Sequence, residues 1–175
     1  VQNKIKTLEI EKWMEVYGDL QANLNLPKKP VSILNKSLFR SQAFYTSPLN
    51  KIGEPSVVMF RRSIVGKIGF FDTDLEQILD YEYWYRILKK HPIAIINKPL
   101  VRFRLHGAQA TNTNRNLAIP DYQLYPKILY NRYFWLLHPS LRIKLFKKYG
   151  KVYQYYVKLE KQIQGILNAK NQYGK

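Results

Sequence analysis

The chain has 175 residues, 46% of them apolar, which suffices for one ordinary domain with an appendage and excludes a disordered tail. Lys and Arg number 29 against 12 Asp and Glu, and the resulting formal charge of +17 calls for an acidic partner or surface. With no cysteine in the chain, a disulfide scaffold, a thiolate zinc site and a cysteine nucleophile are all excluded, and no apolar run approaches the ~20 residues of a membrane-spanning helix.

Along the chain, Ile5, Leu8, Trp13, Val16 and Tyr17 approximate helical spacing, with Gly18 as the stop. Residues 25–34 hold Pro27 and Pro30, whose rings remove amide donors, and read as a loop. A short helix is expected over residues 35–45. Val57, Val58, Met59 and Phe60 then form an apolar run suited to a strand buried on both faces, within residues 56–62. Asp80 opens a helix through Tyr83, Trp84 and Ile87 to Lys89 and Lys90, acidic at its start and basic at its end as the helix dipole favours. Pro92 ends it, Ile93 to Ile96 form a second buried-strand candidate, and an extended run follows from Leu100 to His106.

From Pro120 onward the periodicity is helical. Tyr122, Tyr125, Leu129, Tyr133 and Leu136 share one face; Leu141, Leu145, Phe146 and Tyr149 share another, on a helix that Ser140 would cap and Gly150 would end. Val152, Tyr155, Tyr156, Leu159, Ile163, Ile166 and Leu167 form the clearest stripe, with Lys151, Lys158 and Lys161 off it. A boundary is expected at residues 111–116. The net charge is +7 over residues 1–112 and +10 over residues 113–175, so the helical tail is the more basic part.

Four short pieces carry the chemistry: Gly53-Glu54-Pro55-Ser56 running to Phe60-Arg61-Arg62; Ile68-Gly69-Phe70-Phe71-Asp72; Asp80-Tyr81-Glu82-Tyr83-Trp84-Tyr85-Arg86; and Phe103-Arg104-Leu105-His106. In their order and gaps they resemble the C-terminal half of family 2 glycosyltransferases, over residues 50–112. The resemblance implies an α/β chain: a partial GT-A domain over residues 1–112, followed by a basic α-helical extension over residues 113–175. It also implies an inverting enzyme that moves a sugar from a nucleoside diphosphate sugar to the hydroxyl of a glycan or lipid-linked acceptor, in envelope or extracellular glycan synthesis.

Within that resemblance Asp80 matches the acidic catalytic position. A carboxylate there can take the proton that the acceptor hydroxyl loses as it attacks, and the helix N-terminus is expected to favour its ionised form. Read without the resemblance, Asp80 is a helix cap. Glu82 is the lesser carboxylate; the family's acidic residue before the base is replaced by Leu79. Trp84 and Arg86 match a W-x-R pattern and are expected to bind substrate, although an indole four residues after Asp80 suits the core equally well. Arg102, Arg104 and His106 alternate with Val101, Phe103 and Leu105, so an extended chain projects the three from one face. By resemblance Arg104 lies near the donor phosphates, and His106 helps ligate a divalent cation, magnesium or manganese. Asp72-Thr73-Asp74 spells a metal-binding D-x-D but falls at a turn and reads as structural. No buried strand ending in such a motif precedes residue 50, so the donor-binding half is expected to lie outside this chain, leaving the chain inactive alone.

Residues 113–175 are expected either to attach to an anionic membrane, with the protein in the cytoplasm or at the inner face of the plasma membrane, or to pack on the catalytic domain or on a second subunit. The rival class is a basic nucleic-acid-binding or non-catalytic interaction protein. Charge and aromatics fit it, yet no nucleic-acid-binding motif is present, and no nucleic acid is expected.

Overall fold

A computed structural model of the chain describes residues 11–12, 14–24, 26–27, 29–102 and 120–173, with the backbone alone over residues 165–173. Ile5, Leu8, Trp13, Arg104, His106 and the boundary expected at residues 111–116 lie outside the described residues. The chain divides into two compact units, Val1–Tyr122 and Gln123–Lys175. Its fold is mixed α/β, mostly helical, with one two-stranded sheet among the described residues.

In the first unit, residues 14–17 are helical, and the Gly18 amide closes on the Met14 carbonyl at 2.8 Å. Strand β1 (Val31–Leu34) pairs antiparallel with β2 (Ile93–Ile96), with Val31 opposite Ile96 and Leu34 opposite Ile93. The loop expected over residues 25–34 therefore stops at Pro30. A proline loses only its own donor, and the Pro30 carbonyl accepts from the Asn97 amide at 2.9 Å, extending the ladder by one rung. In β1, Ser32 and Leu34 are buried while Val31 and Ile33 are exposed. Strand β2 forms where expected, but its residues alternate between half-buried and exposed, so it is not covered on both faces.

The helix expected over residues 35–45 is two separate 3₁₀ turns, Lys36–Arg40 and Gln42–Tyr45. Ser41 interrupts them in an extended conformation, and the side chains of Asn35 and Ser41 cap the two starts. Their purpose in packing is to deliver Phe39 and Phe44, both buried, edge-on to each other with ring centroids 5.1 Å apart.

The strand expected over residues 56–62 is absent. Pro55–Val57 is a 3₁₀ turn instead, closed by the Val57 amide on the Glu54 carbonyl, and Met59 is 97% exposed. Four apolar residues do not by themselves make a strand, because a strand needs a neighbour to complete its hydrogen bonds. Helix α1 (Ser63–Ile68) follows, and then α2 (Leu79–Lys90).

Helix α2 is the centre of the first unit, with Asp80, Tyr81, Glu82, Tyr83, Trp84, Tyr85, Ile87 and Leu88 all buried. A helix covered on nearly every face must have its surroundings supply partners for its polar atoms. Phe71 stacks on Tyr83 at 4.3 Å, and Phe44 meets Tyr85 edge-on at 5.1 Å. Leu100 to Arg102, expected in an extended run, have no regular structure and are exposed.

The second unit holds most of α3 (Asp121–Tyr133), a 3₁₀ turn (Phe134–Leu136), α4 (Pro139–Tyr149) and α5 (Lys151–Tyr173). Tyr125, Leu129, Tyr133, Leu137, Leu141 and Leu145 are buried. Helix α4 is capped one residue-pair earlier than expected: the His138 ring accepts from the Ser140 amide, with Pro139 at the first helical position. Gly150 ends it as expected, its amide on the Phe146 carbonyl at 2.7 Å. Helix α5 meets α4 through Tyr153, whose ring lies 6.2 Å from that of Phe146. Of the predicted apolar stripe, Val152, Tyr155, Tyr156, Leu159 and Ile163 are exposed, and the side chains of Ile166 and Leu167 lie outside the described residues. Among the described residues no helix is long and apolar enough to cross a membrane.

Candidate functional site

Asp80 sits in the first turn of α2, and the candidate site is the loop of residues 49–54 folded against that turn. The loop is held at both ends by side chains one turn further along the same helix. Tyr85 donates from its hydroxyl to the Leu49 carbonyl at 2.5 Å and accepts from the Lys51 amide at 3.1 Å. Trp84 donates from its indole nitrogen to the Gly53 carbonyl at 2.9 Å. Gly53 has φ of +140°, and a Cβ there would meet Val57 Cγ2 at 2.4 Å, so glycine is required at this turn.

Inside the loop, Asn50 Oδ1 accepts from the amides of Ile52 at 3.0 Å and Gly53 at 2.9 Å, while its Nδ2 donates to Asp80 Oδ2 at 3.0 Å. Asp80 is 7% exposed, and among the described residues its Oδ1 is buried without a hydrogen-bond partner. Burial pushes the Asp80 carboxyl up to about 6, and the nearby Glu54 carboxyl adds to the rise. The amides of Tyr81 and of Asp80 itself pull the other way. This corrects the expectation that the helix N-terminus governs the group: desolvation exceeds the attraction of the amides. Glu54 is itself shifted upward by burial. Lys51 is fully buried, and burial lowers its ammonium.

Asp80 does not cap α2. Ile78 occupies the cap position without a side-chain bond, and the turn just before the helix is held by a carboxylate from far along the chain. Asp121 Oδ2 accepts from the amides of Glu76 at 2.9 Å, Gln77 at 2.6 Å and Ile78 at 3.1 Å. Asp121 thus fastens the turn that leads into α2, while the amides near the Asp80 carboxyl are those of Tyr81 and of Asp80 itself.

The three other described candidates do not converge on an open surface. Trp84 is 1% exposed and edge-on to Phe71, so its faces are taken by the core rather than offered to a sugar. Glu82 is buried and paired with Arg86 Nε at 2.9 Å. Arg86 donates onward to the carbonyls of Ile68 at 3.1 Å and Phe70 at 2.7 Å, clamping the turn at Gly69, whose φ is +90°. Glu82, Trp84 and Arg86 thus have structural work in this fold, and Arg104, the fourth residue assigned to substrate, lies outside the described residues. Asp72 and Asp74 form a turn, the Asp74 amide on Asp72 Oδ1 at 3.3 Å, in keeping with the structural reading.

Among the described residues no three His, Asp or Glu side chains converge in a way that would hold a metal ion. The residues in view therefore do not test the expected cation, and no step below passes through it. Sequence reasoning missed Asn50, Glu54, Lys51 and Asp121. The Asn50-Lys51-Ile52-Gly53 spacing signals a tight turn, but nothing in it names Asp80 as the partner.

No protein-family model matches the chain, and no solved structure does. It is 32% identical over 107 residues to an uncharacterised protein of Mycobacterium tuberculosis (strain CDC 1551 / Oshkosh), covering 61% of this chain and 32% of that protein. It is 38% identical over 50 residues to uncharacterised glycosyltransferases of Rickettsia typhi (strain ATCC VR-144 / Wilmington) and Rickettsia prowazekii (strain Madrid E). Those matches cover 29% of this chain and 16% of each relative. The chain thus spans a minor part of the length of the curated relatives it matches. At the coarse level, this partial similarity supports a glycosyltransferase.

Proposed function

We propose that the chain is part of an inverting glycosyltransferase of the family 2 type, with a GT-A architecture, and that Asp80 is its general base. The single observation that supports this most is the state of that carboxylate. It is buried and tied by one oxygen to Asn50, with the other unpartnered among the described residues. A carboxyl near 6 is ionised at neutral pH and basic enough to accept a proton.

In the reaction the acceptor O–H bond breaks, its proton passes to Asp80 Oδ1, and the oxygen bonds to the anomeric carbon opposite the departing diphosphate. The bond from that carbon to the diphosphate oxygen breaks with its electron pair, giving nucleoside diphosphate and an inverted glycoside. A divalent cation, with His106 as candidate ligand and Arg104 beside it, would supply charge neutralisation at the leaving phosphates. The nucleoside diphosphate sugar, the glycan or lipid-linked acceptor, envelope glycan synthesis and the cytoplasmic face of the membrane belong to the same proposal. The exposed stripe of α5 and the basic residues beside it support membrane attachment.

The test is Asp80→Asn in the full-length protein that carries this chain, with release of nucleoside diphosphate as the readout. Turnover is expected to fall ~10²–10⁴-fold, the usual contribution of a general base, with donor binding retained. Unchanged turnover rejects the assignment.

A further inference from the structure

We propose that Asn50 is a positioning residue, which holds Asp80 by Oδ2 and so reserves Oδ1 as the oxygen that receives the acceptor's proton. The inference rests on the general-base reading above and adds the atom that performs it.

The orientation of an amide side chain is decided by its partners, and here they leave one answer. Two backbone N–H groups, of Ile52 and Gly53, converge on one end of the Asn50 amide, and only an oxygen can accept both. The NH₂ group must then lie at the other end, where it donates to Asp80 Oδ2. A carboxylate engaged this way cannot rotate without breaking a hydrogen bond in a buried setting, which fixes Oδ1 as well. The loop cannot yield, because Tyr85 and Trp84 fasten it to the helix that carries Asp80. Base and support thus share one rigid frame, as precise proton transfer requires.

Asparagine also suits the charge balance. Among the described residues, the titratable groups that act on Asp80 or feel its charge are Glu54 from the same loop, Tyr81 from α2, and Tyr122 from the first turn of α3. None of them supplies a positive charge. Asn50 stabilises the ionised carboxylate with a neutral donor and leaves it basic, whereas a lysine or arginine in its place would pair with the carboxylate and weaken it as a base.

Asn50→Asp isolates the claim. It keeps an oxygen for the Ile52 and Gly53 amides, removes the donor, and sets a second carboxylate against Asp80. The Asp80 carboxyl is followed by carbon-detected NMR across pH in the 175-residue chain, with the amide spectrum reporting the fold. The midpoint is expected to rise by about one pH unit or more in Asn50→Asp. In Asn50→Ser, whose hydroxyl can serve the amides but cannot reach Asp80, a smaller rise is expected; this variant decides the matter if the first does not fold. A midpoint unchanged in a folded variant overturns the proposal. In the full-length protein the acid limb of kcat/KM is expected to move with the midpoint, while KM for the donor stays constant. If the NMR midpoint moves and the limb does not, Asn50 still orients Asp80, and the base assignment to Asp80 is what falls.

Discussion

At Asp80 the two forces that act on a helix-opening carboxylate oppose each other. Free amides favour its charge, and removal from water disfavours it more strongly, so its folded value of about 6 stands above the 3.8 of an unperturbed Asp. Between those values the folded chain holds a proton that the unfolded chain has released. The group therefore adds stability below pH 4 that is lost as pH rises to 6, a change of roughly 3 kcal/mol from the linkage of pKa to folding. Denaturant unfolding at pH 4 and pH 7 is expected to show this decline in the native chain and to lack Asp80's share of it in Asp80→Asn; equal slopes for the two would contradict the burial argument. Gly53 gives a second prediction at this scale. Its φ of +140° and the 2.4 Å approach to Val57 make Gly53→Ala strained, with an expected loss of about 1–3 kcal/mol of stability in thermal melts.

Among the elements, α2 depends most on a residue distant in sequence. The amides of Glu76, Gln77 and Ile78, in the turn that leads into it, converge on Asp121, more than forty residues away along the chain. One of these N–H groups, that of Ile78, is buried and the other two are part-buried, so losing the carboxylate would cost more than losing an exposed cap. Asp121→Ala is expected to lower stability by at least about 2 kcal/mol, and to speed hydrogen exchange at the amides of Glu76, Gln77 and Ile78. If exchange there is unchanged, Asp121 does not hold the turn. Because that turn leads into the one that carries Asp80, the variant is also expected to loosen the site without touching it.

On the scale of the whole molecule, charge and apolar exposure coincide. The unit Gln123–Lys175 holds 11 basic residues against one acidic, and its longest helix leaves Val152, Tyr155, Tyr156, Leu159 and Ile163 uncovered. Tyr and aliphatic groups suit the interface of a bilayer, and flanking lysines suit anionic head groups. The chain is expected to bind vesicles containing anionic lipid at least about tenfold more tightly than neutral ones, and added salt should weaken that binding. Leu159→Glu with Ile163→Glu is expected to abolish it without unfolding the protein. Equal binding to both vesicle types, or stronger binding to single-stranded DNA, would remove membrane attachment from the proposal.

Local chemistry decided what the sequence alone could determine. The helix from residue 79 to residue 90, the strand at residues 93–96, the helices after Pro120 and the stop at Gly150 follow from periodicity and from the backbone limits of proline and glycine, which act within a few residues. Asp80 as the candidate base was legible because its neighbours in sequence resemble a known pattern. Tertiary contact decided the rest. Val57 to Phe60 had the composition of a strand and no partner to pair with, while Val31 to Leu34, placed in a loop, found β2. Trp84 and Arg86 matched a binding pattern, yet the core and the turn at Gly69 claimed them. The partners of Asp80 and of the turn that leads into its helix, Asn50 and Asp121, come from 30 residues before it and more than 40 after it. Hydrogen bonds over such separations depend on where the folded backbone brings two groups together, and no local pattern encodes that.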